Sequence, residues 1–217
     1  MGYMQGKLIS FEGVDGAGKT TQVALLQAWL VERGEKVRLT REPGGTYIAE
    51  QIRAILLDTK NKGMDDLTEV LLYQAARAQV YDEIVLPALK RGEIVIMDRS
   101  RDSSVVYQGI ARGMGQELIE GLNEISTRGR RPDITFLLDV PVEVGQERRT
   151  GEKADRIELQ GESFQEKVRR GYLKLYREDA GERIKKIKAS GPVEEVFGHI
   201  KDLMEDMLDG SCKNYRK

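Results

Sequence analysis

The sequence of 217 residues has one cysteine, one histidine and no long apolar run. One cysteine, Cys212, cannot form a disulfide within the chain, and Cys212 with His199 is too little for a Cys/His metal cage. No stretch approaches the roughly 20 consecutive apolar residues that span a bilayer. The first residues also lack a basic region followed by an apolar core. We therefore expect a cytoplasmic protein that has no structural zinc and does not bind membranes.

An excess of charge of one sign is also lacking, since 35 Lys and Arg residues face 36 Asp and Glu residues, for a net charge of −1. A surface of this kind does not attract nucleic acid as a whole, so any anion site must be local. Hydrophobic residues make up 40% of the chain, which is enough to build a core. The length and the absence of a linker predict a single domain over residues 1–217.

Short apolar runs alternate with stretches that have helical spacing. The runs predict strands at residues 8–11, 36–40, 94–97, 134–138 and 184–189. Helices are predicted at 20–33, 48–56, 67–89, 116–127, 142–149, 164–180 and 193–208. Alternation of this kind implies parallel strands joined by right-handed crossovers. The predicted fold class is α/β, with a parallel sheet of about five strands between layers of helices.

Residues 13–20 match the phosphate-loop pattern G-x-x-x-x-G-K-[ST], between a predicted strand and a predicted helix. Glycines let backbone N–H groups turn inward around phosphate oxygens, Lys19 neutralises charge, and the Thr20 hydroxyl is offered to Mg²⁺. A plain glycine-rich turn would need neither Lys19 nor Thr20. The residues expected to bind ATP here are Gly13, Gly16, Ala17, Gly18, Lys19, Thr20 and Thr21.

Asp98 ends a predicted buried strand, at the edge where an α/β sheet presents groups to its ligand. A carboxylate there can hold Mg²⁺ together with Thr20. Arg99 follows directly, and an arginine beside a metal suggests a second molecule that carries phosphate. Read alone, the same two residues could form an Asp–Arg surface pair. The phosphate loop by itself does not separate a kinase from a nucleotide switch, a motor or a regulatory binding module.

Four blocks in this order carry a closer resemblance. They are residues 11–21, residues 40–46, Asp98-Arg99 with Ser103 and Tyr107-Gln108, and residues 155–158. In this arrangement, the chain resembles the thymidylate kinases of the nucleoside-monophosphate kinase group over about residues 7–208. The resemblance implies a phosphate-loop kinase domain with a lid at about 145–160 and a polar tail at 209–217. It also implies Mg²⁺-dependent phosphoryl transfer from ATP to dTMP, and a homodimer.

Carried over by position, the resemblance assigns the acceptor phosphate to arginines. Arg99 resembles the arginine that grips this phosphate, and Arg53 is similar to a second one. Guanidinium groups match phosphate oxygens in bidentate fashion and reduce repulsion between two anionic substrates. Asp15 resembles the carboxylate that faces the acceptor's 3′-hydroxyl. Pro43 and Gly44 would shape the backbone beside the acceptor, and Glu42 and Pro43 are expected to contact it, although a simple chain reversal would use the same turn.

The resemblance also implies a base-binding helix around residues 71–79. Tyr73 falls where an aromatic ring, more often Phe, stacks on thymine, and Arg77 lies one turn later, where it could donate to a pyrimidine carbonyl. Without the resemblance, these two would indicate core packing and a solvated charge. Other expected contacts to the nucleoside come from Ser104, at the base edge, from Tyr107, beneath the deoxyribose, and from Gln108.

The stretch 146–156 resembles the family's mobile lid. In one subgroup, the phosphate loop contributes an arginine, but here that position is Gly16, so the lid should supply the charge. Arg148 and Arg149 are expected to be catalytic and Lys153 to contact ATP, with Arg156 as a further candidate. Two rival functions stay open: a kinase for another nucleotide or nucleoside, and a nucleotide-dependent switch or binding module that has no second small anion to hold.

Overall fold

The computed structural model describes residues 6–149, 151 and 154–209. This part of the chain contains one sheet of five strands in the order β2-β3-β1-β4-β5, and all neighbouring strands are parallel. The strands are β1 (Leu8–Glu12), β2 (Val37–Arg41), β3 (Ile94–Asp98), β4 (Ile134–Asp139) and β5 (Ile184–Lys188). The prediction of a parallel sheet of about five strands is confirmed.

The central strand, β1, marks the place where the strand order reverses. The chain runs from β1 to β2 and β3 on one side of it, and then crosses to β4 and β5 on the other. In open α/β sheets, ligands bind beyond the carboxyl ends of the strands at such a reversal. The segments that follow β1, β2 and β3 all leave the sheet at this edge, and they contain three of the four motif blocks.

Helices connect the strands, and their bounds lie within about two residues of the predicted ones for most of them. They are α1 (Lys19–Glu32), α2 (Tyr47–Leu57), α3 (Asp66–Val80), α4 (Leu86–Lys90), α5 (Arg101–Ser104), α6 (Gln116–Ser126), α7 (Val142–Arg148), α8 (Glu162–Glu178) and α9 (Val193–Leu208). A π-helical segment, Tyr81–Val85, joins α3 to α4, so the predicted helix over 67–89 is continuous. None of the helices in the described residues has the length and apolar character needed to cross a membrane.

One helical segment was not predicted. After β3, α5 continues into a π-helical segment, Val105–Ala111, before α6 begins. The wider π turns do not follow the 3.6-residue spacing on which the prediction of helices rests. This segment holds Ser104, Tyr107 and Gln108, so the helix that was missed is the one that carries several expected acceptor contacts.

The sheet is covered on both faces because alternate residues of its central strands enter two separate apolar clusters. Ile9 and Phe11 of β1 pack with α1, α8 and α9, and Leu8 packs with α3 and α4. On β3, Val95 and Met97 belong to the second cluster and Ile94 and Ile96 to the first. Strands that are buried on both faces read as continuous apolar runs, which is the pattern seen in the sequence.

We predict that Phe136→Ala lowers the free energy of unfolding by about 3–5 kcal/mol, because it opens a cavity in the centre of the larger cluster. Phe136 has no exposed surface, and its ring lies 5.2 Å from that of Phe11. Guanidinium chloride unfolding of the variant and the parent measures the difference. Val31→Ala, at a side chain that is 54% exposed on α1, should change stability by less than about 0.5 kcal/mol. Equal losses in the two variants would contradict this account of the core.

Candidate active site

The loop between β1 and α1 has the backbone shape that anion binding requires. A Cβ at Gly13, where φ is 141°, would lie 2.5 Å from the carbonyl oxygen of Leu138, so only glycine fits there. Lys19 begins α1, and its buried ammonium group lies across its own loop, where it donates to the carbonyl oxygens of Gly13 and Val14 at 3.2 and 3.0 Å. Burial, with the neighbouring guanidinium of Arg99, lowers the pKa of Lys19 to about 8. A phosphate at this point would supply the negative charge that this ammonium group needs.

Gly16 is constrained for a different reason. It has a φ of 77°, and a Cβ on it would clash with the carbonyl oxygen of Gly145 on α7. A Cβ on Gly145 would in turn clash with the carbonyl oxygen of Asp15. The phosphate loop and α7 are thus in backbone contact, and the loop has no room for an arginine at residue 16.

Thr20 and Asp98 lie together at the mouth of the phosphate loop. The Thr20 hydroxyl donates to Oδ2 of Asp98 at 2.9 Å, although the residues are 78 positions apart. Neighbouring ligands of an octahedral Mg²⁺ at 2.0–2.1 Å are also about 2.9 Å apart, and both groups are the oxygen ligands that Mg²⁺ prefers. Among the described residues, no group of three His, Cys, Asp or Glu side chains could hold a metal.

Arg99 follows β3 in a left-handed backbone conformation, with φ at 67°. Such a conformation is costly for a residue with a side chain, and it is found where surrounding contacts impose it. The Arg99 N–H donates to the carbonyl of Phe11 at 2.9 Å. Its guanidinium donates to the carbonyl of Gly13 at 2.9 Å and to the carboxylate of Asp15 at 2.5 Å. This backbone conformation therefore lays the side chain of Arg99 against the phosphate loop.

Asp15 is held ionised by this contact. Burial alone would raise its pKa, but the charges of Arg99 and Lys19 outweigh that effect and lower the pKa below its ordinary value. The ionised carboxylate can accept hydrogen bonds from a sugar hydroxyl without losing its pair with Arg99, because it has two oxygens.

Two adjoining cavities open at this edge of the sheet. One, of about 150 Å³, is lined by aromatic and polar side chains from α3 and the segment after β3, and we name it the acceptor cavity. The other, of about 510 Å³, is lined by the phosphate loop, Thr20, Asp98 and two lid arginines, and we name it the donor cleft. The wall between them is formed by four side chains that line both, which are Asp15, Glu42, Arg53 and Arg99.

The back of the acceptor cavity is a buried ion pair. Arg77, only 1% exposed, pairs with the carboxylate of Glu42 at 2.6 Å. Its other N–H groups donate to Gln74, Asn123, the carbonyl of Ser100 and the hydroxyl of Ser104. Every N–H of the guanidinium therefore has a protein partner, so Arg77 is a buried charge with a fixed orientation. The sequence read without the family resemblance would instead predict a solvated charge. A carbonyl of the base would have to share one of these donors.

Aromatic rings form the other walls of the acceptor cavity. Tyr73 of α3 lines it, and burial raises the pKa of its hydroxyl far above the ordinary value. The Tyr107 ring lies beneath the guanidinium of Arg99 at 5.3 Å, and its hydroxyl is buried without a hydrogen-bond partner among the described residues. Ser104 and Gln108 also line the cavity, but Gln108 donates to the carboxylate of Glu69 at 2.8 Å. These four residues thus meet at one cavity with Arg77, the fifth residue expected to contact the nucleoside.

The turn after β2 brings Arg53 to the same wall. Arg53, half-buried on α2, donates to the carbonyl oxygen of Pro43 at 2.8 Å, and the peptide bond between Glu42 and Pro43 is cis. The turn is held closed by Thr46, which caps α2 by accepting from the N–H of Ala49. The turn and Arg53 are therefore in direct contact at the wall of the acceptor cavity, a contact that the sequence did not predict.

The lid arginines are distributed in a way that the sequence did not indicate. Arg148 and Arg149 both line the donor cleft, where Arg148 donates to the carbonyl of Ala189 at 3.1 Å and Arg149 pairs with Glu158 at 2.5 Å. Arg156 lines neither cavity. Its side chain is 3% exposed, pairs with Glu69 of α3 at 2.7 Å and donates to the carbonyl of Leu56. Arg156, one of the candidates for the transferred phosphate, is therefore directed to α3 and not to the donor cleft in this structure. Lys153, another candidate, lies outside the described residues.

Three further residues belong to this region and were not predicted from the sequence, namely Glu12, Glu69 and Tyr172. Glu69 holds Arg156, Gln108 and Arg112 together at the rim of the acceptor cavity. Glu12 ends β1 as Asp98 ends β3, so a carboxylate at the end of a buried strand was a signal that could have been used. Tyr172, on α8, had no local signal.

Comparison with known proteins agrees with this geometry. The family model described as thymidylate kinase matches residues 11–200. A thymidylate kinase of Symbiobacterium thermophilum is 50% identical over 92% of this chain and 93% of its own length. One from Caldanaerobacter subterraneus subsp. tengcongensis is 48% identical over 96% of this chain and 99% of its own.

Among solved structures, a thymidylate kinase from Ehrlichia chaffeensis superposes with a TM-score of 0.77. It is 32% identical in sequence, and the match covers 92% of this chain and 99% of that one. Two cavities that meet at a wall of arginines and carboxylates, a phosphate loop, and relatives of this similarity over nearly the whole length lead to one conclusion. The chain belongs to the thymidylate kinase family.

Proposed function

We propose that this chain transfers the γ-phosphoryl group of ATP to dTMP by direct in-line displacement, giving ADP and dTDP. Members of the thymidylate kinase family phosphorylate dTMP with ATP, and the chain is an enzyme of this type. The observation that supports the proposed mechanism is the shared wall, since a group passing from the donor cleft to the acceptor cavity must pass Arg53 and Arg99. We further propose that the whole chain is a single kinase domain, with a lid at 145–160.

On the donor side, the proposed roles follow the lining of the cleft. The triphosphate would lie along the backbone of Gly13, Gly16, Ala17 and Gly18, with Lys19 on its terminal phosphates and Thr21 nearby. Because Ala17 is buried in the core, it can contribute only through its backbone. Thr20 and Asp98 would hold Mg²⁺, which, when bound, neutralises charge on the phosphate oxygens.

On the acceptor side, we propose that Arg99 and Arg53 hold the phosphate of dTMP and that Asp15 accepts from its 3′-hydroxyl. Thymine would lie against Tyr73, near Arg77, Ser104 and Gln108, with the deoxyribose over Tyr107. Glu42 would act at one remove, by fixing the guanidinium plane of Arg77. Glu42 and Pro43 complete the wall of the cavity.

Chemistry at this site needs no separate general base. The acceptor phosphate is an anion at neutral pH and is itself the nucleophile, so positioning and neutralisation of charge carry the rate. Arg148 and Arg149 lie where they can stabilise charge on the transferred group and exclude water from it.

A location in the cytoplasm stays a prediction from the sequence.

An ADP-release assay with dTMP, dUMP, UMP, CMP, AMP and GMP as separate acceptors tests the function. We expect turnover to be fastest with dTMP, and Lys19→Ala to lower kcat by about a thousandfold with the fold retained, because it removes the charge that faces the phosphates. Lys174→Ala, at a half-exposed lysine of α8, serves as the matched control and should leave kcat within twofold of the parent (roughly the scatter expected for surface changes). ATP consumption that does not depend on any monophosphate would instead indicate a nucleotide switch.

The two arginines of the wall should differ in their contributions. Arg99→Ala is expected to lower kcat/KM for dTMP by about 100-fold to 1,000-fold, because Arg99 touches both cavities and the phosphate loop. Arg53→Ala should raise KM for dTMP by about tenfold with a smaller change in kcat, since Arg53 also lines both cavities but donates to the carbonyl of Pro43, whereas Arg99 donates to the phosphate loop. Steady-state kinetics with each substrate varied in turn measures both effects. Arg38→Ala on the surface of β2 is the control, and a loss confined to KM for ATP would count against these roles.

We also propose that the protein is a homodimer. Of the ten exposed large apolar side chains in the described residues, seven lie on α2, α3 and α6, and α3 packs against both of the other helices. An apolar surface of this kind is typical of an interface between subunits. The most exposed members on α3 and α6 are Leu67, Leu71, Leu118 and Ile125.

The dimer should have twice the 24.5 kDa mass of the chain in sedimentation equilibrium. Ile125→Glu, at a side chain that is 78% exposed, is expected to shift the population to monomer, because it would bury a charge in the interface. Val31→Glu, which alters an exposed apolar side chain on α1, should leave the mass unchanged. A monomeric parent protein would refute the proposal.

A further inference from the structure

Glu12 is a buried carboxylate that lines neither cavity. It ends β1, has no exposed surface, and accepts three hydrogen bonds. The donors are the N–H of Ser100 at 2.8 Å, the hydroxyl of Ser103 at 2.6 Å and the hydroxyl of Tyr172 at 2.8 Å. A buried carboxylate is costly, so three donors aimed at it indicate that it has a purpose in this part of the fold.

The two hydroxyl groups that donate to Glu12 also contact Arg99. Nη1 of Arg99 lies 3.3 Å from the hydroxyl oxygen of Ser103 and 3.2 Å from that of Tyr172. A hydroxyl has one proton to give and lone pairs to receive. The two hydroxyl oxygens also lie 2.8 Å from each other, so either hydroxyl could instead donate its proton to the other. When both protons point to the carboxylate of Glu12, the lone pairs of both oxygens face the guanidinium. Glu12 thus decides whether the two hydroxyls can accept from Arg99.

We propose that Glu12 is a positioning residue for the acceptor phosphate: its carboxylate orients Ser103 and Tyr172, and these hold the guanidinium of Arg99 in the wall between the two cavities. Because the proposal concerns how the phosphate of dTMP is held, it rests on the proposed function. Glu12 itself touches no substrate in this account and acts only through Arg99.

The charges around Glu12 agree with this linkage. Burial, and then the nearby charge of Asp102, raise the pKa of Glu12 to about 7, while Ser103, Arg99 and Tyr172 act in the opposite direction. The groups that Glu12 orients, which are Ser103, Tyr172 and Arg99, are therefore also the groups that stabilise its ionised form. The other charged groups whose fields reach it come from α1, α3 and the residue before β5, and they are Lys19, Arg77 and Arg183.

Binding of dTMP and of thymidine, measured by calorimetry without ATP or Mg²⁺, separates positioning of the phosphate site from damage to the fold. Thymidine has no phosphate, so it does not use Arg99. We expect Glu12→Gln to weaken binding of dTMP by about tenfold, as loss of an outer partner does for a charged binding group, and to weaken binding of thymidine by less than twofold. Loss of affinity for both ligands to the same extent, or unchanged affinity for dTMP, would overturn the proposal.

Tyr172→Phe tests the same linkage with a smaller change, in case Glu12→Gln does not fold. It removes one hydroxyl and keeps the ring, so dTMP should bind about threefold to fivefold more weakly, with thymidine unaffected. Tyr176→Phe, one turn along α8, is the matched control and should change neither affinity. An equal effect of the two tyrosine substitutions would contradict the role of Tyr172.

In an Arg99→Ala background, Tyr172→Phe should have no further effect on binding of dTMP, since the residue through which it acts is gone. An effect as large as in the parent would show that the hydroxyl does not act through Arg99. The proposed function fails separately, if the parent protein does not release ADP with dTMP and ATP. A parent enzyme that does, with flat responses in these variants, would refute the positioning role alone.

Discussion

Repulsion between two phosphate-bearing molecules is the constraint on which this architecture depends. Two like unit charges about 4 Å apart repel by about 4 kcal/mol at an effective dielectric constant of about 20, and each substrate carries more than one charge. The chain has a net charge of −1, so its overall field does not help. The remedy is local: the donor cleft gathers basic side chains from five separate segments, which are Lys19, Arg41, Arg53, Arg99, Arg148 and Arg149.

The fold brings these cations together along the donor cleft. Arg77 is the contrasting case, since it is buried and all its donors have partners, so it can orient a base but has little capacity left for a second anion. Arg99 donates to one carboxylate, one carbonyl and two hydroxyls, and its side chain still lines both cavities. Its left-handed backbone is the local cost of this position. The difference between the two arginines follows from depth of burial and not from residue type.

The sequence predicts those features of the fold and the site that depend on residues close together in the chain. Five apolar runs, the phosphate loop and the Asp98-Arg99 pair are local patterns, and the structure places them where parallel topology requires. The helix over residues 101–111 escaped because π turns lack the expected spacing. Tyr172 lies 160 residues from its partner Glu12. Arg156 points to the buried carboxylate of Glu69 and not to the donor cleft. Such pairings depend on tertiary packing, which residue spacing does not encode.

The contact between Gly16 and Gly145 limits which segments can supply arginines to the donor cleft. Because the two backbones touch, the phosphate loop has no space for a long side chain at residue 16. The arginines that line this part of the cleft are Arg148 and Arg149, at the end of α7. The opposite end of this segment is tied to the acceptor side, because Arg156 pairs with Glu69 and donates to the carbonyl of Leu56. Residues 145–149 therefore contact the phosphate loop and the donor cleft, whereas Arg156 is held beside the acceptor cavity by Glu69 and Leu56.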